Sequence, residues 1–224
     1  MVKKANMAVM TITALIIYVA FIAIAILLYT GGIETDPFRV KYTFLGNSLS
    51  DLGMITGYNG FSNLYSMVVF TIGTAMFGAC FIPFNIAFPT LFKENKASKI
   101  LALIASIFGY AAAIGMILIA CTPHNYSDLV NMLHMVGVYT AYASIFASSV
   151  LYTVAIFLDK TVKNVYGIIT AIFCVVFLAT LIVGLLGLGG DASNIIAQIG
   201  QKGGRGLTVI TYIILCIPLL KSDE

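Results

Sequence analysis

The sequence predicts an all-α integral membrane protein, built as a bundle of six transmembrane helices. Of its 224 residues, 60% are hydrophobic and only 9% are charged, whereas a soluble domain has about 25% charged residues. A chain of this size cannot bury so much apolar surface in one globule, because small proteins have a high ratio of surface to volume. The apolar residues also fall into six runs, most of them long enough to cross a hydrocarbon layer of about 30 Å.

The six runs predict a single transmembrane domain that covers residues 1–224. The expected spans are 7–29, 64–92, 100–120, 128–158, 165–188 and 206–220, with a long outer loop over 30–63. Ser127 followed by Asp128 is typical of a helix N-cap with an acid in the first turn, and it marks the start of the fourth span. The sixth run is short, so it either tilts against its neighbours or extends upstream through residues 195–199.

The distribution of lysine and arginine predicts a cell-membrane protein with both termini in the cytoplasm. Cytoplasmic loops carry an excess of these residues. Six spans place eight basic residues on the side of the termini and four on the other side. The eight are Lys3, Lys4, Lys93, Lys96, Lys99, Lys160, Lys163 and Lys221, and the four are Arg39, Lys41, Lys202 and Arg205.

Three polar segments are then expected to meet at the outer face, in a pocket capped by the long loop. The first is residues 46–53, with the sequence GNSLSDLG; the second is residues 122–125, which lead to His134; the third is residues 191–205. Long ordered loops tend to be functional. This face therefore holds the candidate site.

Asp51 is one of only nine acidic residues, and the hydroxyls of Ser48 and Ser50 surround it. Such a carboxylate can act as a general base, bind a metal ion or accept a hydrogen bond from a lipid or substrate hydroxyl. Ser-Asp-x-Gly is also ordinary turn chemistry, in which the aspartate bonds to the backbone two residues further on. The residues leave both interpretations open.

His134 is the strongest candidate, because ionisable residues inside membrane spans are costly and usually functional. Asn131 lies three positions earlier and shares its helix face. The alternative is a neutral histidine hydrogen-bonded between helices. His124, in the loop, is either a ligand-binding residue or a solvated turn histidine. Arg205 either pairs with Asp51 or Asp191, grips a phosphate, or extends its charged end to the interface.

The sequence argues against several classes of function. A net charge of +3 with scattered basic residues predicts no nucleic-acid partner. The two histidines are ten positions apart, a spacing that is not diagnostic of a metal site, and none is predicted. No catalytic or nucleotide-binding motif is present, and the cofactor is unknown. Membrane lipids are the expected partners, and a homo-oligomer or partner membrane proteins stay open.

Ser50-Asp51-Leu52-Gly53, followed by Asn63, resembles the signature of a prokaryotic six-helix membrane family, domain of unknown function nine-nine-eight. Gly115, Pro123 and His134 match that family's pattern over helices three and four, and Arg205 loosely matches the arginine at the start of its last helix. His124 and Asn125 replace the usual acidic residue. The layout is also similar to eukaryotic DRAM/Sfk/PGAP-type proteins, which implies a six-helix fold and a link to lipids or glycolipid anchors.

The leading functional hypothesis is recognition or remodelling of a lipid or glycolipid headgroup. Asp51 and Arg205 would complement its charge, and Asn63 and Asn131 would orient it. If chemistry occurs, we expect hydrolysis or acyl transfer, with His134 as the base and Asp51 orienting it. Ser48 and Ser50 are conceivable nucleophiles. The alternatives are a small-solute transporter or channel, and a non-catalytic scaffold or accessory subunit.

Overall fold

The structure is a computed structural model that describes residues 3–186 and 191–222, with side chains described outside 183–197. Its helices are α1 (Lys4–Leu28), α2 (Leu64–Ala87), α3 (Lys96–Cys121), α4 (Asp128–Leu158), α5 (Asn164–Leu186) and α6 (Asp191–Leu220). Two short 3-10 helices cover Ser50–Gly53 and Phe88–Leu91. All six α-helices are long and apolar enough to cross a membrane. The predicted fold class, an all-α six-helix membrane bundle, is confirmed.

The helices form a ring in chain order. Each packs against the next one along the chain, and α6 closes the ring by packing on α1. Aromatic side chains of α2 fill the interior, where Phe77, Phe81 and Phe84 are fully buried. The ring of Phe81 meets Tyr212 of α6 at 5.1 Å between centroids. The middle of the bundle is therefore closed by packed aromatic rings.

Glycines allow α3 and α4 to approach closely. A Cβ at Gly115 would lie 2.6 Å from the backbone nitrogen of Ala141 and 2.8 Å from the carbonyl oxygen of Gly137. Small residues at such crossings let backbones touch, as expected for membrane helices. This contact fixes the end of α3 relative to the first turns of α4. Ser127 caps α4 as predicted, since its side chain accepts a hydrogen bond from the backbone of Val130.

The long loop, residues 30–63, folds over one end of the bundle, which we call the loop end. Gly31 and Gly32 adopt positive φ angles of 113° and 86°, a conformation that favours glycine. Asn63 holds the 3-10 turn in place: its amide nitrogen donates to the carbonyl oxygens of Leu52 and Met54 at 3.2 and 3.0 Å. The loop is thus an ordered cap held by its own polar side chains.

The sixth helix is longer than the expected span 206–220. It begins at Asp191, so the second of the two alternatives, extension upstream, is the one observed. The glycines at 200, 203, 204 and 206 favour a break in the helix over residues 200–206, because each glycine costs about 1 kcal/mol in a helix interior. Tertiary contacts offset that cost, among them a hydrogen bond from the backbone of Leu49 to the side chain of Gln201 at 2.8 Å.

Buried polar groups also lie toward the opposite end, which carries both termini. Tyr152 donates to the side-chain oxygen of Asn85 at 2.7 Å and lies 3.0 Å from the hydroxyl of Ser106. At the terminal end Asp159 accepts hydrogen bonds from the backbone nitrogens of Asn95 and Thr161 at 3.1 and 2.9 Å. Both features are structural ties between helices.

Candidate functional site

Parts of all three polar segments meet at the loop end, as the sequence predicts. Gln201 of α6 bonds the backbone of Leu49, as described above. Asn125 bonds the loop twice: its side-chain oxygen accepts from the backbone of Ile55 at 3.0 Å, and its amide nitrogen donates to the carbonyl of Thr56 at 2.8 Å. The first residues of the third segment, 191–197, lie outside the described side chains. The site is therefore built by residues 46–56, 122–134 and 198–205.

Asp51 lies at the centre of a tight polar turn and is 4% exposed. One carboxylate oxygen accepts hydrogen bonds from the amide of Asn47 and the backbone of Ser48, both at 3.0 Å. The other accepts from the hydroxyl of Ser48 at 2.5 Å. That hydroxyl in turn accepts from the backbone nitrogen of Asp51 at 3.1 Å. These bonds give Asp51 a structural role in the turn.

His134 links the loop to the end of α3. Its Nδ1 lies 2.7 Å from the carbonyl oxygen of Thr122, and its Nε2 lies 3.1 Å from the hydroxyl oxygen of Ser50. A carbonyl oxygen only accepts, so Nδ1 carries the proton, and the bare Nε2 of the neutral ring accepts from Ser50. The group that orients His134 is thus the carbonyl of Thr122, and not Asp51 as the sequence suggested.

His124 completes a cluster of ionisable side chains with Asp51 and His134. Its Nε2 lies 4.0 Å from a carboxylate oxygen of Asp51, and its ring centroid lies 5.5 Å from that of His134. Burial lowers the pKa of His124 below 6.5, and the negative charge of Asp51 opposes that shift only in part. Its buried Nδ1 has no hydrogen-bond partner.

Arg205 is 3% exposed and sits apart from this cluster. Its Nε donates to the hydroxyl of Tyr142 at 2.9 Å, while its Nη1 has no hydrogen-bond partner. The ion pairs among the described side chains join Arg39 to Asp36 and His124 to Asp51, so the expected pairing of Arg205 with Asp51 does not occur. Asp191, the other expected partner, begins the same helix, and its side chain lies outside the described ones.

Arg205 and Lys202 both line a groove of about 350 Å³ between α1 and α6, which we call the α1–α6 groove. Lys202 donates to the carbonyl of Asn47 at 2.5 Å and lies 5.0 Å from the ring centroid of Phe44. Sequence reasoning did not select Lys202. The signal was present, because residues three apart on a helix share a face.

A second cavity of about 340 Å³ lies among α4, α5 and α6. Ser48, Tyr142 and Gln201 contribute to its walls. The hydroxyl of Tyr142 is also the hydrogen-bond partner of Arg205. The loop segment 48–49 thus separates this cavity from the α1–α6 groove, since Leu49 lines the groove.

Asn63 and Asn131, the two asparagines expected to orient a ligand, differ in their burial. Asn63 is fully buried, and its side chain is occupied by the backbone of residues 30, 52 and 54. Asn131 is exposed, whereas His134 is buried, so the two do not present one common polar face. Among the described residues, no group of three histidine, cysteine or acidic side chains is placed to hold a metal ion.

No protein-family model, curated protein or solved structure matches this chain. The resemblance to the six-helix family therefore rests on the motif residues alone.

Proposed function

We propose that this chain is a multi-pass cell-membrane protein that recognises the headgroup of an anionic lipid in the α1–α6 groove. The observation that carries this proposal is the buried guanidinium of Arg205, which has a partnerless Nη1 and no acidic partner among the described side chains. Arginine stays charged in proteins. A buried charge is costly unless it is paired, and an anion in the groove would supply the pair.

Phosphate is the chemistry that fits this position best. A guanidinium binds phosphate oxygens through hydrogen bonds from its nitrogens, and the unused Nη1 of Arg205 can donate one of them. Lys202 adds a second positive charge on the same groove. Its present acceptors are neutral: the carbonyl of Asn47 and the backbone and side-chain oxygens of Gln198.

The walls of the groove favour a lipid over a small soluble anion. Val19, Ile22 and Ile26 of α1 face Val209 and Ile210 of α6 along it. These side chains belong to helices that are apolar enough to span a membrane. A lipid can place its phosphate at Arg205 and leave its acyl chains along this apolar surface.

The orientation in the membrane and the family resemblance are part of the same proposal. The eight-to-four distribution of basic residues supports cytoplasmic termini, which puts the groove mouth in the outer leaflet. The Ser-Asp-Leu-Gly motif at Ser50–Gly53 supports the prokaryotic six-helix membrane family, and the similar layout of the eukaryotic DRAM/Sfk/PGAP-type proteins supports a link to lipids. A transporter is less well supported, because the buried aromatic rings of α2 close the middle of the bundle.

The test is native mass spectrometry of the purified protein in nanodiscs of phosphatidylglycerol or phosphatidylcholine. We expect selective retention of phosphatidylglycerol, and a loss of about 10-fold or more in Arg205→Gln, since hydrogen bonds to charged groups contribute about 1.5–3 kcal/mol. Lys221→Gln is the control, because this exposed lysine lies at the terminal end. Equal retention of both lipids by the wild type would refute the proposal.

A non-catalytic scaffold is the second candidate. It is favoured by Asp51, whose carboxylate accepts hydrogen bonds from Asn47 and Ser48 of its own turn. A scaffold needs no lipid selectivity. The nanodisc experiment therefore separates the two candidates.

A further inference from the structure

Ser50 of the long loop and His134 of α4 form a contact between two side chains that can take part in chemistry. The two residues lie 84 positions apart in the chain, and the Oγ of Ser50 is 3.1 Å from the Nε2 of His134. Ser50 is 8% exposed and His134 is 3% exposed. A buried serine that donates to a histidine is in the state from which a base can remove its proton.

The tautomer of His134 is the one that general-base catalysis needs. The carbonyl of Thr122 takes the proton of Nδ1 at 2.7 Å, which leaves Nε2 free to accept from Ser50. In serine hydrolases a carboxylate usually plays this orienting part. Here a backbone carbonyl holds the ring in the same sense, and the close packing of α3 on α4 fixes that carbonyl.

Both partners are held by rigid elements. Ser50 begins the 3-10 helix Ser50–Gly53, which rests on α2 so closely that a Cβ at Gly53 would lie 2.6 Å from the ring of Phe70. His134 lies on α4, three residues before Gly137, where α4 contacts α3. Catalytic groups need this kind of support, because small displacements reduce the rate strongly.

A polar atom beside the pair is left without a partner. The Nδ1 of His124 is buried and makes no hydrogen bond, and its ring lies 5.5 Å from that of His134. A buried polar atom without a partner destabilises the fold. A polar group of a bound molecule would remove that destabilisation.

We propose that Ser50 is an acyl-accepting nucleophile and His134 its general base, acting on a carboxylic ester of a membrane lipid. The Oγ of Ser50 attacks the ester carbonyl, and its proton passes to Nε2 of His134. The carbon–oxygen bond to the alcohol breaks, and His134 returns the proton to the departing alkoxide, which leaves an acyl ester on Ser50. Water then attacks that ester, His134 takes its proton and returns it to Oγ, and the fatty acid leaves.

This activity deepens the proposed lipid-binding function, which supplies its substrate class, but the two rest on different residues. The two residues before Ser50 line the two cavities of the loop end. Leu49 lines the α1–α6 groove, and Ser48 lines the second cavity. A lipid held by Arg205 thus has its ester groups within the same end of the bundle. Binding and turnover can be measured separately.

The test uses a long-chain alkyl fluorophosphonate, in which a serine oxygen replaces fluoride on phosphorus. The full-length protein in nanodiscs is incubated with it, and the modified peptide is identified by mass spectrometry. We expect one adduct on Ser50, none in Ser50→Ala, and labelling slowed about 100-fold or more in His134→Ala, in line with loss of a general base. Ser62→Ala, an exposed loop serine, is the control and should label like the wild type.

The same preparations are assayed for two properties: release of fatty acid from phosphatidylglycerol, and retention of phosphatidylglycerol by the protein. Retention with loss of both release and labelling in Ser50→Ala supports the nucleophile. An unlabelled wild type, or an adduct that persists in Ser50→Ala, overturns it even where phosphatidylglycerol is still retained. If Ser50→Ala fails to fold, the site of the wild-type adduct decides, and an adduct at any residue other than Ser50 refutes the assignment.

Discussion

At the scale of single residues, the site divides its ionisable groups between structure and chemistry. Asp51 is satisfied by Asn47 and Ser48 within its own turn. His134 has one nitrogen fixed by a carbonyl and the other directed at a hydroxyl. The carboxylate therefore shapes the loop that carries Ser50, and the imidazole is the group able to exchange a proton with it.

His124 makes the stability of the loop end depend on pH. Burial lowers its folded pKa below the ordinary 6.5, although Asp51 opposes the shift. The unfolded state then binds more protons in the interval between the two pKa values. The contribution of His124 is complete above pH 6.5 and is lost as the pH falls toward the folded pKa.

We expect the melting temperature of the wild type to drop more than that of His124→Asn when the pH is lowered from about 7.5 to about 5. Thermal melts of both proteins in the same detergent measure this difference. The melting temperatures at about pH 7.5 are the reference for each protein, because His124 is then neutral in both the folded and the unfolded wild type. An equal drop in both proteins would contradict a lowered pKa of His124.

Residue chemistry explains which site residues could be predicted. Asp51, His124 and His134 stand out because a charge or imidazole beside an apolar run needs a reason. The role of Asn63 could not be told from the sequence, since an asparagine amide can form hydrogen bonds to the backbone as well as to a ligand. The role of Thr122 could not be predicted, although residues 122–125 were expected at the site, because Thr122 acts through its carbonyl oxygen, an atom that every residue has.

At the scale of elements, the crossing of α3 and α4 determines the geometry of the site. Gly115 and Gly137 bring the two backbones into contact, and this places Thr122 at the end of α3 beside His134. The start of α4 was predictable from the capping by Ser127. The start of α6 was ambiguous, because its glycines oppose a helix locally while contacts with a distant loop favour it.

Gly115→Ala should lower both stability and reactivity. The added Cβ would lie 2.6 Å from the backbone of Ala141, and overpacking of this kind costs about 1–3 kcal/mol. The displaced helix would also move His134 from the carbonyl of Thr122. We expect a lower melting temperature and slower labelling of Ser50 by the fluorophosphonate.

Gly203→Ala is the matched control for that substitution. A Cβ at Gly203 meets nothing within 4 Å, and alanine favours an exposed helix by about 1 kcal/mol over glycine. This variant should melt at the same temperature as the wild type or higher. If Gly115→Ala behaved like it, the close α3–α4 contact would not be what holds the site together.

At the scale of the whole molecule, the six-helix ring separates two chemically different ends. The loop end carries the histidines, the polar turn and the groove with Lys202 and Arg205, and the terminal end carries most of the lysines. Hydropathy predicts the six helices because lipid leaves the backbone few other ways to satisfy its hydrogen bonds. It does not predict which helices adjoin, and the closure of α6 on α1 forms the groove.

The proposed orientation places the loop end outside the cell, and cysteine labelling tests it. Phe38 of the loop is 92% exposed, and Lys160 is exposed between α4 and α5 at the other end. In a Cys121→Ser background, which removes the exposed native thiol, Phe38→Cys should react with a membrane-impermeant maleimide in intact cells. Lys160→Cys should react only after the membrane is permeabilised, since the lysine-rich side is retained in the cytoplasm. The reverse pattern would place the groove mouth in the inner leaflet, and the lipid that reaches Arg205 would then have to come from that side.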